Sequence, residues 1–411
     1  VTSSSARTSS NALYNDVDFF ARHRGESLDF LTRVNAGYAK DFSNTAGIGD
    51  QKRVSVASIE LVDRPLGVLA RLGRQISTQE GIFGTFDGLF LSYQFRHAWA
   101  VNAVAGYPVL DTTVGPQTNR RFETLALAYT PPGRHWDGDI FVTTQQYDGV
   151  RDRQAAGFDL RYLSQHVSLV SLVDYDTSFH SLNAATLLGT LMLPARWVVS
   201  LDAERRNTPV LTTYNALIGQ DFTTLAQLEQ IFTLEQIYQM ARDRTPVTDN
   251  FSLTATHPLG ERFQFTTVVG ATRTTATPDS FGVQGQPATG LNLTYQAQIY
   301  GTSLWTTGDF NVLTLTYGNT EIGKIEALTA SSRFPIGSAW RVGPRLTVDR
   351  NTIITDGSTT LTVMPSVLLD YLRDRRLLQF EAGGQLGKRD ALLQTQNTKR
   401  YYVSLSYRLN F

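Results

Sequence analysis

Apolar and polar residues alternate with a period of two from one end of this chain to the other. In the closing stretch Tyr401, Val403, Leu405, Tyr407, Leu409 and Phe411 share one parity, and Tyr402, Ser404, Ser406, Arg408 and Asn410 the other. The preceding stretches repeat the pattern. Leu378, Phe380, Ala382, Gly384 and Leu386 oppose Gln379, Glu381, Gly383, Gln385 and Gly387, and Leu361 to Tyr371 and Trp340 to Val348 do likewise. Successive side chains of an extended strand point to opposite faces, so each stretch reads as a two-faced strand. A soluble sandwich also alternates, but seldom through so many consecutive hairpins.

Composition narrows where such strands can live. No apolar run approaches the ~18 residues of a membrane helix, and mean hydropathy is only −0.19. In a membrane barrel only every second residue faces lipid, so low mean hydropathy is compatible with spanning. A soluble chain of 411 residues would normally divide into two or three domains, yet no linker, charge block or low-complexity tract marks a division. Lys+Arg and Asp+Glu both number 37, which argues against a nucleic-acid partner, since that needs a basic face. The absence of cysteine excludes disulfide frameworks and thiolate metal sites. The expected fold class is all-β, a transmembrane antiparallel up-and-down β-barrel.

Turn lengths assign sides. Short turns (Arg64 to Gly67, Arg96 to Ala98, Pro194 to Arg196, Pro258 to Glu261, Pro335 to Ser338, Arg373 to Arg375) alternate with longer polar connections (Ser43–Lys52, Asp111–Asn119, Asn207–Val247, Thr277–Thr289). Barrels keep tight turns on the periplasmic side and longer loops outside. Trp99, Trp136, Trp197, Trp305 and Trp340 all fall beside the short turns, as a membrane girdle would, because indole prefers the headgroup level. Counting back from Phe411 gives about 20 strands, the earliest Leu28–Phe42, with a weaker candidate at Leu13–Arg22. An even count puts both ends in the periplasm, so the expectation is twenty, with 22 as the alternative. Residues 1–27 are expected as an N-terminal lead-in, part of it folded inside the barrel, and residues 28–411 as the barrel, with a helical insertion at 212–247. The Ser/Thr-rich opening lacks a signal peptide's apolar segment, and a signal or further domain is expected upstream.

One stretch departs from period two. Thr223–Arg242 carries Leu225, Leu228, Ile231 and Phe232, then Leu234, Ile237, Tyr238 and Ala241, at helical spacing. Thr224 with Gln227 and Thr233 with Gln236 match the capping box. Two short helices are expected in the longest outer loop, with Leu225, Leu228, Phe232, Ile237 and Tyr238 as candidate gating residues.

Candidate chemistry is sparse. His23, His97, His135, His166, His180 and His257 show no metal-ligand pairing, and no G-x-S-x-G elbow is present. Neither an enzyme nor a cofactor is expected. The pairs Asp16/Asp18, Asp137/Asp139 and Asp174/Asp176 are same-face carboxylates that suit Ca²⁺ or, preferably, a solvated loop rim, so no metal site is assigned. Arg71, Gln75, Asn102, Asp159, Arg161, Asp202, Glu204, Arg341, Arg345, Asp349, Glu381 and Gln385 are expected to line the lumen. Both signs occur, with no ring of one charge. Arg71 to Gln75 followed by Gly84 to Gly88 reads as a glycine-relieved strand pair, or as a constriction or loop latch.

The ending Tyr407-Arg408-Leu409-Asn410-Phe411 resembles the assembly signal of Gram-negative outer-membrane β-barrels, in which Tyr407, Leu409 and Phe411 would be the recognised residues. Arg71–Tyr93 is similar to pieces of porin-like barrels and of C-terminal barrels on multidomain outer-membrane proteins such as polysaccharide exporters. The resemblance implies the bacterial outer membrane, contact with its lipid, and insertion by the barrel-assembly machinery. Two function classes follow. One is a channel or export pore for polar solutes or a polymer, restricted or gated by the helical loop. The other is a plugged barrel serving as anchor or scaffold for an N-terminal domain or an extracellular assembly, with a periplasmic or extracellular protein partner.

Overall fold

The computed structural model describes residues 12–42, 49–77, 81–82, 84–391 and 394–409. They form 21 strands. These are β1 (Ala12–Arg24), β2 (Leu28–Asp41), β3 (Gln51–Asp63), β4 (Val68–Ser77), β5 (Gly84–Arg96), β6 (Trp99–Pro108) and β7 (Arg120–Tyr129). Next come β8 (Trp136–Tyr147), β9 (Val150–Leu163), β10 (Val167–Asp176), β11 (Ser181–Leu193), β12 (Trp197–Asn207), β13 (Val247–Leu259) and β14 (Phe263–Thr274). The last are β15 (Asn292–Thr302), β16 (Phe310–Asn319), β17 (Gly323–Ile336), β18 (Trp340–Ile353), β19 (Thr359–Arg373), β20 (Arg376–Ala391) and β21 (Gln394–Leu409). Each strand pairs antiparallel with the next, in the up-and-down order expected. Two helices, α1 (Leu225–Glu229) and α2 (Leu234–Asp243), lie in the β12–β13 connection.

The strand count corrects the expectation of twenty. Ala12–Arg24 pairs with β2 over its whole length, from Ala12 opposite Asp41 to Arg24 opposite Asp29. The sequence 12–24 is therefore wall rather than lead-in. Its alternation is weak because Asn15 and His23 break the apolar parity of Leu13, Val17, Phe19 and Ala21, and Tyr14 and Phe20 break the polar parity of Asp16, Asp18 and Arg22, but backbone pairing does not need an apolar face. With an odd count, β1 begins at the long-loop edge and β21 ends at the short-turn edge, so the two ends lie on opposite edges. Among the described residues no pairing joins β1 to β21.

Connections after odd-numbered strands are short, while those after even-numbered strands include 109–119, 208–246 and 275–291. Residues in the left-handed region close the tight ones: Gly67, Gly260, Gly337 and Asp374, with φ of 66°, 73°, 64° and 54°. Two expected turns start later in the chain. Pro258 and Pro335 belong to the ends of β13 and β17, where a missing N–H is tolerated.

Burial runs opposite to that of a soluble domain. On one face of the sheet large apolar residues are exposed, among them Leu72, Leu125, Ile140, Val142, Leu313 and Leu361. Buried apolar side chains gather on the other, polar face, in two clusters. One joins Tyr147 and Phe179 to Leu211, Ala216, Leu225, Leu228, Ile237, Met240 and Ala241. The second joins Ile82, Phe86, Val104 and Phe122.

Candidate pore face and inserted loop

Register places all twelve expected lumen residues on one continuous face. Arg71 stands opposite Glu60, Asp159 opposite Asp139, Arg161 opposite Asp137, and Glu204 opposite Asn250. Arg341 stands opposite Asp370, Arg345 opposite Ser366, and Asp349 opposite Thr362. Charges on this face are cross-linked. Arg71 Nε donates to Glu60 at 2.7 Å, Arg161 pairs with Asp137 at 2.6 Å, and Tyr402 Oη donates to Glu381 at 2.8 Å. Asp370 holds Arg333 and accepts from Gln379. Such cross-strand pairs stiffen a wall without giving it a dominant sign.

The carboxylate pairs divide. Asp16 pairs with Arg53, at an exposed position. Asp174 and Asp176 are fully buried rather than part of a solvated rim. Asp174 holds Arg153, and Asp176 accepts the N–H groups of Ser178 and Phe179. Among the described residues no group of three potential ligands could hold a metal ion.

Arg74 and Asp87 form a bidentate pair, with Nε and Nη2 each at 2.8 Å. They sit on the apolar face, in parity with Leu72 and Leu89. Arg74 also donates to the carbonyls of Val54, at 3.0 Å, and Val114, at 3.3 Å, and so pins the 109–119 connection to the sheet. Gly73, Gly88 and Gly106 stand directly opposite one another across three strands. A Cβ at Gly73 would lie 2.2 Å from the Ala57 carbonyl oxygen. The glycine alignment is that of the glycine-relieved strand pair in the sequence reading.

All five tryptophans lie at the short-turn edge. Trp99, Trp136 and Trp340 each pack against the tyrosine of the neighbouring strand (Tyr129, Tyr162, Tyr371) in a tilted arrangement, with ring centroids 4.5–4.7 Å apart. Trp197 stacks on His257, and Trp305 projects from the 303–309 turn with 78% of its surface exposed. At the C-terminus Tyr407 and Leu409 share the exposed apolar parity, while Phe411 lies outside the described residues.

The 208–246 connection folds over the polar face. Both expected capping boxes form, Thr224 with Gln227 and Thr233 with Gln236. Leu225, Leu228 and Ile237 are fully buried, with Phe232 and Tyr238 packed against them. Met240 completes this core and was not among the expected residues, although its i+3 spacing from Ile237 is a usable signal. Ile231 and Leu234 remain exposed, because the interhelical turn carries them outward. Burial raises the pKa of the Tyr238 phenol. The loop is anchored by Thr213 Oγ1 to the Arg151 carbonyl at 2.8 Å and by the Tyr214 N–H to Asp152 at 2.8 Å. The buried Asn183 side chain accepts from the Leu211 N–H at 2.8 Å.

Between this loop and the sheet lies a cavity of about 530 Å³. Its walls come from the end of β12 and the loop (Arg206, Val210, Tyr214), from β7–β9 (Arg120, Phe122, Arg153) and from Phe86 on β5. Strands seven apart in the sheet thus face one space, which requires the polar face to be strongly concave.

No protein-family model matches the chain, and no curated protein matches it. The solved structures to which it is similar are outer-membrane β-barrel proteins. Pseudomonas aeruginosa OccD3 (OpdP) shares 12% identity at a TM-score of 0.38, over 89% of this chain and 86% of that one. The P pilus usher translocation pore PapC shares 10% identity at a TM-score of 0.37, over 97% and 94%. A bacterial polysaccharide outer membrane secretin shares 15% identity at a TM-score of 0.32, over 77% and 100%.

Proposed function

We propose that the sheet closes into a barrel in the bacterial outer membrane, that its polar face lines a channel for polar solutes or a polymer, and that the 208–246 loop restricts that channel. The observation that carries this reading is the inversion of the two faces. Leu72, Leu125, Ile140, Val142, Leu313 and Leu361, left exposed, lie on the side opposite the charged network and the inserted loop. A contiguous apolar surface of this extent needs a cover, and a bilayer covers it while water fills the concave side. The aromatic rows at the short-turn edge fit the headgroup level. Planar-bilayer conductance tests the reading. The purified full chain should conduct, and deletion of residues 222–243 should increase single-channel conductance. A protein that stays silent before and after the deletion would overturn it.

The completeness of the loop's buried core favours a second reading, in which the loop is a fixed plug and the barrel an anchor for a protein partner. Recovery of a stoichiometric partner from detergent-solubilised membranes, together with electrical silence, is the outcome that reading expects.

A further inference from the structure

On the apolar face, one row of side chains carries a surplus of positive charge. Arg205, Asp249 and Arg273 stand directly opposite one another across β12, β13 and β14. They share the parity of Phe251 and Leu253, which are exposed. Arg205 Nη1 donates to Asp249 Oδ1 at 3.1 Å, and Arg273 Nη2 donates to Oδ2 at 2.6 Å. Two guanidiniums thus share one carboxylate, and one positive charge is left over. Other pairs on this face, Arg74–Asp87, Arg350–Glu326 and Lys388–Asp390, are matched one to one. The side chains of Arg205 and Arg273 keep 54% and 55% of their surface exposed. Each spends one nitrogen on Asp249, and the others have no hydrogen-bond partner among the described residues.

The row lies at the long-loop edge. Arg205 is two residues from the end of β12, and Arg273 one residue from the end of β14. Beside Arg205 is a furrow of about 500 Å³, walled on the apolar parity by Phe158, Val173, Ala185, Leu187 and Ala203. Phe158, Val173, Ala185 and Arg205 are in register, so the furrow leads away from the guanidinium across β11, β10 and β9. The small side chains of Ala185 and Ala203 keep its floor low. An apolar furrow that ends in exposed guanidiniums matches an amphiphile with a chain and an anionic head. Phosphate suits this head position, because its several acceptor oxygens can bridge two guanidiniums. Basic side chains at a membrane surface attract anionic lipid for the same reason. We propose that this site binds a phosphorylated lipid, with the phosphate bridging the free edges of Arg205 and Arg273 and an acyl chain lying in the furrow over Ala185 and Ala203. The inference rests on the proposed reading of the apolar face as lipid-facing, but not on conduction.

Native mass spectrometry of the full chain released from detergent micelles tests it. The probes are dioleoylphosphatidic acid, dioleoylphosphatidylcholine and inorganic phosphate. The two lipids carry the same chains, but choline caps the phosphate of the second and cancels its charge. The phosphatidic acid should bind at least about tenfold more tightly, as expected for charge-assisted bonds to two arginines, and inorganic phosphate should not displace it. Arg205→Gln combined with Arg273→Gln should bring the phosphatidic acid down to the affinity of the phosphatidylcholine and leave the latter unchanged. Arg121→Gln, on the same face of β7, should change neither. Equal affinity of the two lipids for the unaltered protein would overturn the proposal without recourse to any variant. An equal loss in R121Q would reduce the effect to net charge, and displacement by inorganic phosphate would make this an anion site rather than a lipid site; either result overturns it. Binding of both lipids without preference defeats this proposal alone, whereas binding of neither defeats the lipid-facing reading as well.

Discussion

At the scale of single residues, Asp309 shows how a turn is set by one carboxylate. It is buried where the 303–309 connection enters β16. It accepts the N–H groups of Thr306, Trp305 and Leu304 at 2.5, 2.7 and 3.0 Å, and Asn311 Nδ2 at 2.7 Å. Desolvation alone would raise its pKa, but these donors outweigh it and hold the group below the ordinary 3.8. A depressed folded-state pKa means that the stabilisation is complete above the ordinary value and is lost as pH falls through the folded one. Carboxyl NMR should therefore give Asp309 a pKa below 3.8, and Asp309→Asn should speed amide exchange at residues 304–306. A value at or above 3.8 would remove this account of the turn. In the sequence only Trp305 drew notice here, because a carboxylate that organises backbone N–H groups through a seven-residue connection has no period to betray it.

At the scale of elements, local signals and long-range contacts differ in legibility. The two helices were readable because a capping box is a four-residue pattern, and both boxes form where the threonines and glutamines stand. Thr233→Ala should cost the loop about 1 kcal/mol, seen as roughly fivefold faster hydrogen exchange over α2. Met240→Ala should cost about 2–5 kcal/mol, because it empties part of a closed core, and exchange should rise across both helices together. If exchange in α1 is unaffected by the Met240 change, the shared core is not the unit that holds the loop. The glycine row was half legible. Gly73 and Gly88 were visible as close-approach positions, but their alignment with Gly106 depends on register. Gly73 takes a φ of 116°, so Gly73→Ala should destabilise by about 1–3 kcal/mol, measurable as a lower urea midpoint for unfolding from lipid. The inserted loop's contact with β9, the burial of Asp174 and Asp176, and the cavity at Arg120 were not legible. The loop contact and the cavity join residues more than thirty positions apart, through a fold-over that period and composition do not encode.

At the scale of the whole molecule, the question is how the sheet ends. Alternation and turn length were enough to indicate a meander with two distinct edges, and register places the expected lumen residues on one face. The strand at Leu13–Arg22 escaped a parity argument that demanded an even number. With 21 strands β1 and β21 run in the same direction, and both are exposed along nearly their whole length. On the proposed barrel reading, edges left open in a bilayer would cost several kcal/mol for each unpaired backbone group, so closure by these two strands would join them in parallel. The chain has no cysteine, which makes the test clean. Single cysteines placed in turn at Leu13, Val17 and Phe19 can be combined with single cysteines at alternate positions from Lys399 to Leu409, and the doubles oxidised in native membranes. Parallel closure predicts disulfides within one molecule whose positions rise together: moving the β1 cysteine toward Arg24 should shift the reactive partner toward Leu409 by the same number of residues. Partners that fall as the β1 position rises, or crosslinks only between two molecules, would mean that another strand lies between β1 and β21 and that the wall is completed differently.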